Sequence, residues 1–101
     1  SYNVEKEFKH AFGVETYEIP VKIVLEFSWQ QGNYVKSFPL HESQRVLEGD
    51  EDTVLIEIYI HPTNDIKMEL LKYGSNVKVV SPISLQNEIK NRISEMTKLY
   101  Q

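Results

Sequence analysis

The sequence contains no cysteine, so disulfide bracing, thiolate nucleophiles and cysteine-bound zinc are all excluded. Glycine and proline are scarce, four of each. The glycines, at 13, 32, 49 and 74, stand too far apart for a phosphate-cradling loop or a dinucleotide fingerprint. No apolar run reaches the roughly 18 residues needed to cross a bilayer. The opening SYNVEKEFKHAFGV is too charged for the apolar centre of an export signal. The expectation is a cytoplasmic protein with no membrane contact. Basic residues are also short, 11 against 15 acidic, for a net charge of −4. Between residues 42 and 57, Glu42, Glu48, Asp50, Glu51, Asp52 and Glu57 face only Arg45. That balance argues against free-standing binding to nucleic acid, which needs clustered Lys and Arg.

What remains is one ordinary domain: 101 residues, 41% hydrophobic and 26% charged. A chain of this size buries roughly 60 to 70% of its unfolded surface, enough for a single core. Ser1 in place of an initiator Met points to a piece of a longer chain.

Hydrophobic spacing predicts the elements. Val4, Phe8, Ala11 and Phe12 recur at helical intervals between a possible Asn3 cap and Gly13. After Pro20, VKIVLEFS alternates, with Val21, Ile23, Leu25 and Phe27 on one side. S-W-Q-Q from Ser28 reads as a capping box opening a helix to about Ser37, with Tyr34, Val35 and Phe38 on its buried side. Residues 43–47 read as a short strand and EGDED as a turn. TVLIEIYI, residues 53–60, alternates most cleanly. Thr63 or Asn64 can cap a helix bearing Ile66, Leu70, Leu71 and Tyr73, stopped by Gly74. NVKVV, residues 76–80, gives a last strand. Ser84 then caps a helix striped by Leu85, Ile89, Ile93, Met96 and Tyr100.

The order strand, helix, strand, strand, helix, strand is that of an α+β, ferredoxin-like βαββαβ antiparallel sheet, here with a short N-terminal helix and an additional C-terminal one. In that topology the first and third strands are central, and here they are the long, regular ones. The helices should cover the face of Ile23, Leu25, Phe27, Val54, Ile56 and Ile58. The other face carries Lys22, Val24, Glu26, Leu55, Glu57, Tyr59, Lys78 and Val80, with Val24, Leu55, Tyr59 and Val80 as candidate interface residues. Alternatively, the C-terminal helix folds back over it.

FPLHESQRV, residues 38–46, brings a His, a Glu and a Ser close together. Nucleophilic catalysis needs the Ser hydroxyl within hydrogen-bond reach of the His and a third group orienting the ring. In an extended strand, His41 and Ser43 share a face but stand roughly 6.6 Å apart. No glycine-rich turn adjoins Ser43 to form an oxyanion hole. The expectation is a non-catalytic protein without cofactor. Nor is a metal site expected, since His10, His41 and His61 are isolated and EGDED lacks the ligand alternation of a calcium loop. A ferredoxin-like sheet can stack bases on central-strand aromatics, but only Tyr59 qualifies, and TVLIEIYI lacks that module's basic, glycine-containing pattern.

A strand ending in Phe27-Ser28, Tyr34 to Lys36, His41 with Ser43-Gln44, then LLKYGSNVKVVSP and SLQNEIK succeed one another across residues 20–100. This succession resembles the C-terminal extension (WCX) domain of bacterial WYL-domain transcriptional regulators. The family often has Trp-His-Pro before Ser-Gln; this chain has Leu40, His41 and Glu42. The resemblance implies that residues 1–18 are an arm leaving an upstream WYL domain absent from this chain, and residues 19–101 the ferredoxin-like domain. It implies a homodimer, DNA bound through a helix-turn-helix domain outside the chain, and a nucleic-acid or small-molecule effector held mainly by the WYL domain. Lys36, His41, Ser43, Gln44 and Arg45 become the candidate ligand or interdomain contacts. The alternative is a stand-alone ferredoxin-like domain that binds a small molecule or single-stranded nucleic acid.

Overall fold

The computed structural model describes residues 19–101; the arm of residues 1–18, with the helix expected over 4–12, lies outside the described residues. The chain forms β1 (Val21–Ser28), α1 (Trp29–Ser37), β2 (Arg45–Leu47), β3 (Thr53–Ile60), α2 (Asn64–Lys72), a 3-10 turn (Gly74–Asn76), β4 (Val77–Ser81) and α3 (Ile83–Leu99). The sheet order is β2-β3-β1-β4 with every neighbouring pair antiparallel. β1 and β2 therefore point the same way with β3 between them, the split β-α-β arrangement of a ferredoxin-like fold. β1 and β3 are central, as the sequence predicts.

Register explains the core. Val21 opposes Ile60 and the pairing runs unbroken to Ser28 opposite Thr53. Alternation then stacks Ile23, Leu25 and Phe27 beside Ile58, Ile56 and Val54 on one face. All six are buried, joined by Val35, Ile66, Leu70, Val79 and Leu85 from the covering layer and β4. Each such aliphatic or aromatic side chain contributes about 1.5–3 kcal/mol on burial. Between β1 and β4 the register shifts after Val24, which pairs with Ser81 while Leu25 pairs with Val79. Val80 is the extra residue of that bulge.

The Ser28 hydroxyl caps α1, accepting from the Gln31 amide at 3.4 Å and donating to Asn76 Oδ1 at 3.0 Å. The reciprocal Gln31 contact of a full capping box is not formed. The buried side of α1 is Gly32 and Val35, so the sequence expectation for Tyr34 and Phe38 is corrected: they are 57% and 62% exposed. Gly32 is the reason, because a Cβ there would lie 2.5 Å from Val54 Cβ. The helix approaches the sheet along the line of 32 and 35, and the rings of Tyr34 and Phe38 pack on each other, centroids 4.9 Å apart.

Thr63 caps α2, accepting from the Ile66 amide at 3.4 Å, and Gly74 leaves the helix at φ +60°. α3 begins earlier than expected. Pro82, not Ser84, is its N-cap residue, and the Pro82 carbonyl accepts from the Leu85 and Gln86 amides. Leu85 enters the core. Lys67 Nζ meets Glu88 Oε2 at 2.7 Å and Arg92 Nη2 donates to Asn64 Oδ1 at 2.7 Å, so α3 lies beside α2 in the helix layer. It does not fold over the opposite face of the sheet, which removes that alternative. Among the described residues no helix is long and apolar enough to cross a membrane.

Candidate interaction surfaces

Residues 41–43 are not the start of an extended strand. Gln44 N–H donates to the His41 carbonyl at 3.0 Å, closing a turn, and pairing in β2 starts only at Arg45 opposite Glu57. The turn overturns the predicted separation of His41 and Ser43, for His41 Nδ1 lies 2.8 Å from Ser43 Oγ. The hydroxyl, however, is engaged elsewhere. It accepts from the Tyr59 amide at 2.8 Å and reaches the Tyr59 carbonyl at 3.1 Å. A single hydroxyl proton cannot serve both that carbonyl and the ring. Among the described residues no carboxylate orients the imidazole, so the third member of a triad is missing from this group.

Gln44 is also an internal tie. Its Oε1 accepts from the Leu40 amide at 2.9 Å and its Nε2 donates to the Val35 carbonyl at 3.0 Å. That bond satisfies a carbonyl near the C-terminal end of α1, one of those no intrahelical amide can reach. Arg45 is largely exposed and pairs across the strands with Glu57, Nη1 to Oε1 3.6 Å. Lys36 stands exposed in the last turn of α1. Of the five candidate contacts, then, His41 and Ser43 come together, Gln44 is tied to the backbone of α1 and its exit, Arg45 is largely exposed beside Glu57, and Lys36 stands on the surface of α1.

The second sheet face is less open than predicted. Val24 and Leu55 are half-buried and Glu57 is 5% exposed, while Tyr59 and Val80 are exposed. Cross-strand register places Lys22 beside Tyr59 and Glu26 beside Leu55, so charge and apolar area alternate.

Concavities among the described residues lie elsewhere. One, of about 420 Å³, sits between the end of α1 and α2, lined among others by Tyr34, Phe38, Ile66, Glu69 and Tyr73. Tyr73 packs edge-on against Phe27, centroids 5.3 Å apart. Partial burial, reinforced by the Glu69 charge, raises its phenol above the usual tyrosine range. Another is a groove of about 650 Å³ between α3, the end of α2 and β4. Its walls are Leu70, Leu71, Val77, Ile89, Ile93 and Met96, and its charged lining residues are Lys78 and Lys90. Sequence reasoning missed this groove. The stripe on α3 was the available signal, but it reads equally as core, and of its members only Leu85 is buried.

In the β2–β3 loop Asp50 accepts from the Asp52 amide and from the Thr53 amide and hydroxyl. These bonds, the Asp52 amide foremost, hold its carboxyl below the usual range. Among the described residues no cluster of three or more His, Asp or Glu is arranged to hold a metal ion.

The WCX domain family matches this chain over residues 19–97. The chain belongs to that family. The match covers the whole βαββαβ unit and almost all of α3, so the WCX domain and the fold coincide. At the level of the family this is a WYL-associated regulatory C-terminal domain. No curated protein matches the chain.

Proposed function

We propose that this WCX domain is the C-terminal dimerisation and effector-response part of a WYL-family helix-turn-helix transcriptional regulator, acting in the cytoplasm without catalysis. The observation that carries the reading is the family match over the βαββαβ unit; in that unit the Ser43 hydroxyl beside His41 is engaged by the Tyr59 backbone of β3. DNA is bound by a helix-turn-helix domain outside this chain. The effector, nucleic acid or small molecule, is held mainly by the WYL domain. Effector binding alters how paired C-terminal domains pack and thereby the spacing of the DNA-binding units. Such coupling requires the effector to bind one arrangement more tightly than the other.

Light scattering of this chain beside the full reading frame, each with and without short single-stranded DNA, tests it. The expected result is a dimer in both, with the effector changing only the longer protein. A reading frame with no helix-turn-helix upstream would sink the proposal. The second reading, a stand-alone small-molecule-binding domain, is favoured by one observation, the apolar groove of about 650 Å³, a volume within the usual range for small ligands. Saturable binding of a small apolar ligand by a monomeric chain would favour it.

A further inference from the structure

The concavity of about 420 Å³ between the end of α1 and α2 brings three aromatic side chains, Tyr34, Phe38 and Tyr73, to one space with the buried Ile66. Each wall is held by a contact of its own. The Phe38 amide donates to the Tyr34 carbonyl at 2.9 Å as α1 ends, and the two rings, four residues apart, pack on each other with their planes tilted by 34°. Tyr73 is fixed against Phe27 of the core. Leu40, also at the cavity, is anchored through its amide by Gln44 Oε1 at 2.9 Å. Tyr34 and Phe38 nonetheless stay more than half exposed, so these rings form a rim and not core. A preformed concavity of this volume lies in the usual range for small ligands.

Glu69 and Lys72 are the charged lining residues of this cavity. Glu69 Oε2 accepts from the Tyr73 phenol at 3.4 Å and lies 3.2 Å from Lys72 Nζ. The Lys72 side chain is 67% exposed and its pair with Glu69 is a surface pair three residues apart on one helix, a kind that contributes little to stability. Lys72 therefore gives the carboxylate a cation that a better-placed one can displace. Aromatic rings present negative faces, and they attract cations most strongly where water is excluded. An ammonium carrying methyl groups suits both parts of this cavity, its charge the carboxylate and its methyls the rings. An anion would meet Glu69 and the ring faces, both repulsive, with only Lys72 in its favour.

We propose that this cavity binds a small organic cation, a quaternary or multiply methylated ammonium seated among Tyr34, Phe38 and Tyr73, with Glu69 as its counter-ion and Lys72 displaced. The Gln44 tie to the Leu40 amide then holds one wall of the site in place. The site shares no lining residue with the groove on α3 and needs no second copy of the chain. Both readings of the function above stand or fall without it.

Titration of the full 101-residue chain with choline, followed by amide chemical shifts in NMR, tests it. Saturable shifts should centre on Leu40, Glu69 and Tyr73. The neutral carbon isostere of choline, with a quaternary carbon in place of the nitrogen, should bind at least about tenfold more weakly. Phe38→Ala and Glu69→Gln should each raise the dissociation constant about three- to tenfold. Circular dichroism should show both variants folded, because Phe38 is mostly exposed and Glu69 partly so. Lys72→Gln should act in the opposite direction and tighten choline binding, since it removes the resident competitor. Equal binding of the neutral isostere would reduce the site to an apolar hollow and overturn the proposal. So would weaker choline binding in Lys72→Gln, or acetate binding that Lys72→Gln abolishes, which would mark a site for anions. Absence of any saturable shift with choline at millimolar concentration overturns it as well.

Discussion

Ser43 substitutes its side chain for a strand: its hydroxyl accepts from the Tyr59 amide at 2.8 Å and reaches the Tyr59 carbonyl at 3.1 Å. The pairing of Arg45 with Glu57, continued by two residues in each direction, would bring Ser43 opposite Tyr59. The backbone has already turned away there, and a hydroxyl, both donor and acceptor, satisfies the two groups the missing residue would have paired.

Ser43→Ala should therefore lower stability by about 1–3 kcal/mol, the cost of leaving backbone groups on β3 without their partner. In urea denaturation the midpoint should fall with the slope unchanged. Hydrolysis of an activated ester should stay at the buffer rate in wild type and variant alike. Turnover that depends on Ser43 would end the non-catalytic reading.

Gly32→Ala sets two terms of opposite sign against each other. Helix propensity favours Ala by about 1 kcal/mol, but the new methyl would meet Val54 Cβ at 2.5 Å, and overpacking costs about 1–3 kcal/mol. The expected net effect is destabilising. Combined with Val54→Ala, the two substitutions should be non-additive, with Gly32→Ala costing less once Val54 is trimmed. Additivity in thermal melts would mean that α1 can back away freely.

Asp50→Ala should be pH-dependent in its effect. The folded-state pKa of Asp50 is lowered from an ordinary 3.8, so the unfolded chain takes up the proton first as pH falls. The stabilisation is complete above the ordinary value and is lost as pH drops through the lowered one. The gap in melting temperature between wild type and Asp50→Ala should be open at neutral pH and narrow once pH falls below about 4. A gap that stays constant to low pH would show that these bonds do not distinguish the charged carboxylate.

Tyr59 tests the single-strand alternative. Glu26 and Glu57 share its sheet face with only scattered basic residues, so this chain alone should give no saturable fluorescence anisotropy change with a short single-stranded DNA at moderate salt. If binding is seen and Tyr59→Ala weakens it by about 1–3 kcal/mol, the sheet is a base-stacking platform.

Period-two alternation made β1 and β3 legible, and those two strands with their unbroken register determine which face becomes the core. Strand order followed from element order for the same reason. The face of α1 was harder to read. Tyr34 and Phe38 satisfy a helical spacing, but a glycine in contact with Val54 decides which side approaches the sheet, and hydrophobicity alone does not register that. At His41 the error came from extending β2 two residues too far. A turn held by Gln44 brought together two groups that a strand would have kept apart. The groove on α3 was hidden because a periodic stripe says which residues share a side, not whether anything covers them.

β2 has a further consequence. It is three residues long, preceded by a turn whose side chains have taken over the hydrogen bonding, and its outward row of amides and carbonyls is correspondingly brief. An edge that short is a poor template for a strand from another molecule. The fold thus resists runaway backbone templating along this margin without a proline or a bulge in β2, and the same brevity gives a sheet-extending peptide almost nothing to recognise there.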